Sequence, residues 1–454
     1  MSIIETKLKP DQIEELNNTL LASNTIPQEY FSLFNIKRGL RNPDGTGVMA
    51  GLTKVCSVEG YYIDDGEKTA KEGKLYYRGY SLNKLVDACV NENRFGFEEV
   101  VYLLLFGQLP NENQLKKFTD VLGLSRELPE DFTEDMIMKA PSADIMNKMA
   151  RSVLALYSYD MNPDSIEIKN VLRQSIQLIA QLPVIMAYAY QVKRRTFYHK
   201  SMYLHPLVPE LSTAESILRS IRSDKKYTDE EAKLLDIAMI IHADHGGGNN
   251  STFSTRVLTS SGTDTFAAIS AGIGALKGPR HGGANIKVSQ MVDYMKECVD
   301  DPTDEAKVKD YLAALLRKEK GDGSGLIYGM GHAVYTLSDP RAKILSAKAY
   351  EYSKGTDFEK DYLYLSAIEK YTPEVFAEVK GVEKVMCANV DLYSGLVYKI
   401  LRVPQDLFTP LFTCARVAGW SAHRIEELLT GGRIIRPAYK NVGEKMIYIP
   451  ISER

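Results

Sequence analysis

Seven histidines are spread along this 454-residue chain, and four of them fall in three glycine-rich or polar stretches, HADHGGGNN, KGPRHGGAN and YGMGHAVY. These stretches interrupt the helical pattern, leave backbone amides available and free their side chains from core packing, as loops that carry function do. His242 and His245 stand three residues apart, with Ala243 and Asp244 between them. The histidines of a zinc-protease pair sit one residue further apart around a glutamate. No cysteine or carboxylate pattern completes a tetrahedral set here, so no metal is expected. The three-residue spacing near a helix end suits one packing histidine and one that faces a site.

The arginines add an anion-binding chemistry. Arg341 follows Asp339-Pro340 at a predicted helix start, and a guanidinium fork grips carboxylates through two parallel bonds at any working pH. Arg416 lies within the apolar segment LFTPLFTCARVAGW, where a lone charge needs an anionic ligand or an internal ion pair. Taken alone, Asp391 in CANVDLYSG reads as a helix cap or first-turn acid, and Arg436 in RIIRPAY as a solvated arginine.

Taken in order, GPRHGGAN, GMGHAVYTLSDPRA, NVDLYSG, ARVAGW and IIRP resemble the citrate synthase family, as does the block from GLTKVCSVEG through FGQLP. The similarity extends from about Gly51 to Tyr439. It implies a Claisen-type condensation of acetyl-CoA with oxaloacetate and water. The aspartate matched by Asp391 is the base that removes a proton from the acetyl methyl group. The histidine matched by His281 hydrogen-bonds the thioester oxygen as enol character develops, and the one matched by His332 polarises and protonates the oxaloacetate carbonyl. Substrate carboxylates fall to the positions of Arg341, Arg416, Arg436 and His245, with Arg436 reaching across from the partner subunit of a homodimer. The resemblance implies no metal or redox cofactor; acetyl-CoA is a substrate.

The chain also departs from the family. Gly246 stands where many members carry glutamate, and Ala333 and Thr336 stand where many carry an arginine or lysine for CoA phosphates. Main-chain groups near Gly329 and Gly331 are the candidate CoA contacts. The Lys193-Arg194-Arg195 cluster is either a phosphate contact, from the other subunit, or a solvated basic turn. The nearest rival is 2-methylcitrate synthase, which uses propionyl-CoA with the same catalytic set. A rival of another class is a non-catalytic acyl-CoA- or dicarboxylate-binding homologue.

The elements that must position these residues are mainly α. Apolar residues at three- and four-residue spacing predict helices over 97–106, 143–157, 166–190, 211–222, 230–242, 302–318, 340–352, 390–401 and 410–429. Short strands are predicted over 55–63 and 75–80, flanking the charged turn DDGEKTAKEG, and over 446–451. The apolar run 176–192 contains Pro183 and is too short for a membrane span, which suits a kinked core helix. The resemblance implies a two-domain fold: a large helical domain from 1–286 and 391–454, with a smaller helical domain inserted at 287–390. Residues 1–45 form a polar, amphipathic lead-in.

A composition of 44% hydrophobic and 25% charged residues with a net charge of -3 is that of a globular protein, with no nucleic acid or membrane among its expected partners. Five scattered cysteines without a CxxC pair suggest reduced thiols. The polar start MSIIETKLKP lacks the pattern of a secretory signal, and a cytoplasmic location is expected.

Overall fold

The computed structural model describes residues 9–65, 67–382 and 385–453. The chain divides into two compact units, one built from residues up to 50 with 64–68, the other from 51–63 with 69 onward. The first unit contains the helix Pro10–Ser23, which begins on its proline, and the short helix Glu29–Leu33. Ile13, Leu16, Leu20 and Leu21 on the longer helix are exposed.

The second unit is mainly helical and holds the residues singled out above. Its sheet has the order β1 (Cys56–Asp64), β2 (Glu67–Tyr77), β3 (Tyr80–Ser81), with Tyr77 opposite Tyr80 in an antiparallel pair. Strands β1 and β2, adjacent in sequence and in the sheet, make a hairpin. Here the structure corrects the expected turn: β2 begins at Glu67 and runs through most of the charged stretch. Its residues up to Lys74 are exposed or half-buried, so their charges sit on a solvated surface that a strand tolerates. The expected strand over 446–451 is not formed. That segment is exposed and pairs with no described edge, and a strand is stable only against a neighbour.

The predicted helices form, several within a residue or two of expectation, including Phe97–Phe106, Pro340–Ser353 and Val390–Ile400. Pro183 sits inside one continuous helix, Ile168–Phe197, whose middle is buried. The helix Phe408–Thr430 is the centre of the unit. It is buried on every side from Phe408 to Ile425 and packs against Ile168–Phe197, Asn250–Ser260, Phe97–Phe106 and Thr265–Lys277. Its Gly419 lets another segment approach closely: a Cβ there would lie 2.4 Å from Asp244 Oδ1 and 2.5 Å from the Ala243 carbonyl. A glycine in a helix costs about 1 kcal/mol relative to alanine, which this approach must offset. No described helix is long and apolar enough to cross a membrane.

Candidate active site

The helix Asp229–His242 starts with a reciprocal cap, Thr228 Oγ1 accepting from Glu231 N and Glu231 accepting from Thr228 N, and it ends at the first histidine pair. His242 packs edge-on against Phe412, with ring centroids 4.3 Å apart, and neither ring nitrogen has a hydrogen-bond partner. Burial and the positive charges of Arg416 and Arg341 push it well below the usual histidine range. His245 is also pushed far down, by burial and then by Arg341, but its ring stands 5.2 Å from that of His332. His242 is therefore the packing member of the pair, and His245 the one that meets the other candidate groups.

His332 sits on the loop 329–338, ahead of the helix Pro340–Ser353. Its Nδ1 accepts hydrogen bonds from the Val334 and Tyr335 amides, both at 3.0 Å. An amide only donates, so the neutral ring must carry its proton on Nε2. Tyr335 stacks on the ring at 4.7 Å. The loop is seated on the hairpin at two strand glycines. A Cβ on Gly60 would lie 2.5 Å from the Val334 carbonyl oxygen, and one on Gly73 would lie 2.0 Å from that of Ser338. Gly73 N donates to Ser338 Oγ at 3.1 Å, Thr336 Oγ1 to the Gly60 carbonyl at 3.3 Å, and Tyr335 OH to the Lys74 carbonyl at 3.4 Å.

His281 lies in the break before the helix Ala284–Cys298. Its Nε2 is 3.1 Å from both Asn249 Oδ1 and Ser251 Oγ, and Trp420 Nε1 donates to Ser251 Oγ at 3.2 Å. These contacts fix the ring plane, and Ser251 Oγ donates in turn to Asn249 Oδ1 at 2.9 Å. Burial, reinforced by Arg416 and Arg341, pushes His281 down to about 4, so it is neutral near pH 7.

Asp391 lies in the first turn of Val390–Ile400, but the cap is Asn389, whose side chain accepts from Asp391 N at 3.0 Å. The Asp391 carboxylate makes no hydrogen bond among the described residues. Burial drives it up to about 7, with Arg341 and Arg416 pulling downward and Asp339 adding to the rise. Arg341 is buried and clamped by Asp339, through Nε at 3.0 Å and Nη2 at 2.7 Å. Burial alone would lower its pKa, and Asp339 reverses that. Arg416 donates from Nε to the His242 carbonyl at 2.7 Å, while its Nη1 and Nη2 are buried without hydrogen-bond partners.

The charges of Arg341 and Arg416 act on His245, His281 and Asp391 alike, and His332 touches His245. Six predicted groups thus share one positive region. Arg436 is not among them; it is exposed on the irregular tail after Gly431. The described bonds of Gly329 and Gly331 run to a neighbouring segment: Gly329 O accepts from Asn389 N at 2.9 Å, Gly331 N donates to Cys387 O at 2.8 Å, and Gly331 O accepts from Asn389 Nδ2 at 2.9 Å. They tie the His332 loop to the cap of the Asp391 helix. Lys193 is ion-paired with Asp406 at 2.7 Å. No group of three histidine, cysteine or carboxylate side chains among the described residues is arranged for a metal.

Asn249, Ser251, Trp420, Asp339 and Asn389 orient these groups, and sequence reasoning did not single them out for that role. Asn389 and Asp339 carried a local signal, as capping residues two positions before Asp391 and Arg341.

The family model described as citrate synthase, C-terminal domain, matches residues 44–438. The chain is 33% identical over 426 residues to a citrate synthase of Haloferax volcanii, covering 92% of this chain and 99% of that one. It is 31% identical over 383 residues to a 2-methylcitrate synthase of Shewanella oneidensis, covering 84% and 92%. Among solved structures, the ternary complex of Thermoplasma acidophilum citrate synthase with carboxymethyl coenzyme A and oxaloacetate superposes with a TM-score of 0.74 at 28% identity, covering 92% of this chain and 99% of the other.

Proposed function

The chain belongs to the citrate synthase family of enzymes, and from that premise we propose that it condenses acetyl-CoA with oxaloacetate and water to give citrate and CoA. One observation carries the reading: a carboxylate raised to about 7 and three histidines lie in the field of two buried arginines. A carboxylate near 7 is a better base than an ordinary one and is still about half ionised at neutral pH, which suits a weakly acidic acetyl C–H.

Asp391 takes the methyl proton. His281, neutral near pH 7, hydrogen-bonds the thioester oxygen as the enol forms. The enol carbon attacks the oxaloacetate carbonyl, whose oxygen receives the proton from His332 Nε2. Water then cleaves the citryl thioester and releases CoA. Arg341 and the two unpartnered Arg416 nitrogens hold carboxylates, with His245 beside them.

Three finer features belong to the same proposal. Residues 287–390 form a small domain that closes on the rest and excludes water during the chemistry. The main chain near Gly329 and Gly331 contacts CoA. The exposed tail, with Tyr439, Met446, Ile447 and Tyr448 open to solvent, packs on a second copy and delivers Arg436 to its site, in a cytoplasmic homodimer.

A second reading, 2-methylcitrate synthase, is favoured by the similarity to the Shewanella oneidensis enzyme. The two differ by one methylene, worth about 1–3 kcal/mol of selectivity. Free-CoA release with oxaloacetate and either acyl-CoA decides between them. A higher kcat/KM for acetyl-CoA supports the first reading, a higher one for propionyl-CoA moves the assignment to the second, and no release with either defeats both.

A further inference from the structure

Behind the substrate-facing groups lies a chain of buried charges that the proposed chemistry does not use. The segment 240–246 is held from two sides. On one side Tyr77 OH donates to the Ile240 carbonyl at 3.0 Å and to the Asp244 carbonyl at 3.1 Å. On the other, three positions of the Phe408–Thr430 helix meet the segment: Arg416 Nε bonds the His242 carbonyl, Gly419 N donates to the Ala243 carbonyl at 3.2 Å, and His423 Nε2 lies 3.0 Å from Asp244 Oδ2. The spacing of 416, 419 and 423 puts all three on one helix face. Asp244 Oδ2 also accepts from Gly246 N at 3.2 Å, so one carboxylate oxygen spans the residues on either side of His245.

The protonation of this chain follows from its far end. Arg256 Nη2 is 2.8 Å from His423 Nδ1, and its Nε is 3.3 Å away. Guanidinium groups only donate, so Nδ1 accepts and the neutral ring holds its proton on Nε2, pointed at Asp244. Arg256 is fixed in turn by Glu427 at 2.7 Å and by Glu426. Burial would raise the Asp244 carboxyl, but His423 and Arg416 outweigh it and hold it at about 2.

We propose that Asp244, oriented by His423 and Arg256, is a positioning residue for oxaloacetate: it fixes the backbone that presents His245 and supplies the counter-charge that keeps Arg416 in place behind the substrate. This rests on the assignment of His245 and Arg416 to oxaloacetate made above. An ion pair kept only for stability would leave substrate affinity alone.

The test is the oxaloacetate dissociation constant of the purified full chain by titration calorimetry without acyl-CoA, read beside the acetyl-CoA KM. His423→Leu removes the hydrogen bond and leaves the charge of Asp244, and it weakens oxaloacetate binding about tenfold while the acetyl-CoA KM stays within about twofold. His423→Gln keeps a donor and recovers part of the loss. Asp244→Asn is isosteric and carries the test if His423→Leu does not fold. It removes a negative charge near Arg416, so it would tighten anion binding if the field alone mattered; the proposal requires it to weaken binding. A wild-type constant in either folded variant overturns the proposal. Failure of the wild-type chain to bind oxaloacetate at all defeats the functional reading instead.

Discussion

The segment around His245 and the loop around His332 face each other at ring distance, yet they are anchored by opposite means. The His245 segment is buried and gripped by side chains of one long core helix. The His332 loop is partly exposed, with Leu337 45% open to solvent, and is held by its own amides and by two notches in a hairpin. A wall with many buried contacts opens only with the whole core, whereas one with few can open locally. On the proposed chemistry the deep wall carries two oxaloacetate contacts, His245 and Arg416, and the loop side carries the proton donor His332 with Arg341 just after it. Asp391 belongs with the loop side, because its helix cap, Asn389, is bonded to Gly331.

Substitutions that separate kcat from binding test this division. Asp391→Asn removes the base and lowers kcat about 10²–10⁴-fold in the CoA-release assay, with oxaloacetate affinity nearly unchanged. A comparable loss of affinity would place Asp391 on the wrong wall. Arg416→Gln takes away two nitrogens on the deep side and weakens oxaloacetate about a hundredfold by calorimetry. Equal affinity would remove Arg416 from the substrate. Gly73→Ala drives a methyl into the Ser338 carbonyl and unseats the loop. Its kcat falls about tenfold while oxaloacetate still binds; the reverse pattern would end the comparison.

The smallest effects concern pH. Asp391 acts ionised, so log kcat/KM rises with pH and levels off above about 7, where its free carboxyl titrates. A plateau reaching down to pH 5 would exclude a raised base. The stability sign is opposite. The folded state holds this proton more tightly than the unfolded one, so the associated stability is present below the ordinary carboxylate range and lost as pH rises through about 7. Asp391→Asn should therefore melt a few degrees above wild type at pH 8 and close to it at pH 4, by scanning calorimetry.

Local chemistry made much of this legible. The helix Phe97–Phe106 ends at Gly107 in a left-handed cap, and the capped start of Asp229–His242 was written in TDEE. Arg416 announced an unmet need by standing in an apolar run, and two of its nitrogens remain unmet. What spacing could not supply was the meeting of distant faces. Asp244 and His423 are 179 positions apart, and nothing local to either names the other. The hairpin was misjudged for a related reason: charged residues suit a turn and a solvated strand equally, and only the neighbouring strand decides between them.

The two notched glycines have a consequence in time. Their hydrogen-bonded contacts join residues 265 to 276 positions apart, among the longest-range bonds in the chain. At about 5–20 residues per second, a ribosome releases the hairpin on the order of tens of seconds before the residues that occupy it exist. The two notches then have nothing to receive until the loop is made, and His332 can be placed only after the intervening helices have collapsed around the core. On the proposed chemistry, catalytic competence is thus a late event in the life of the chain.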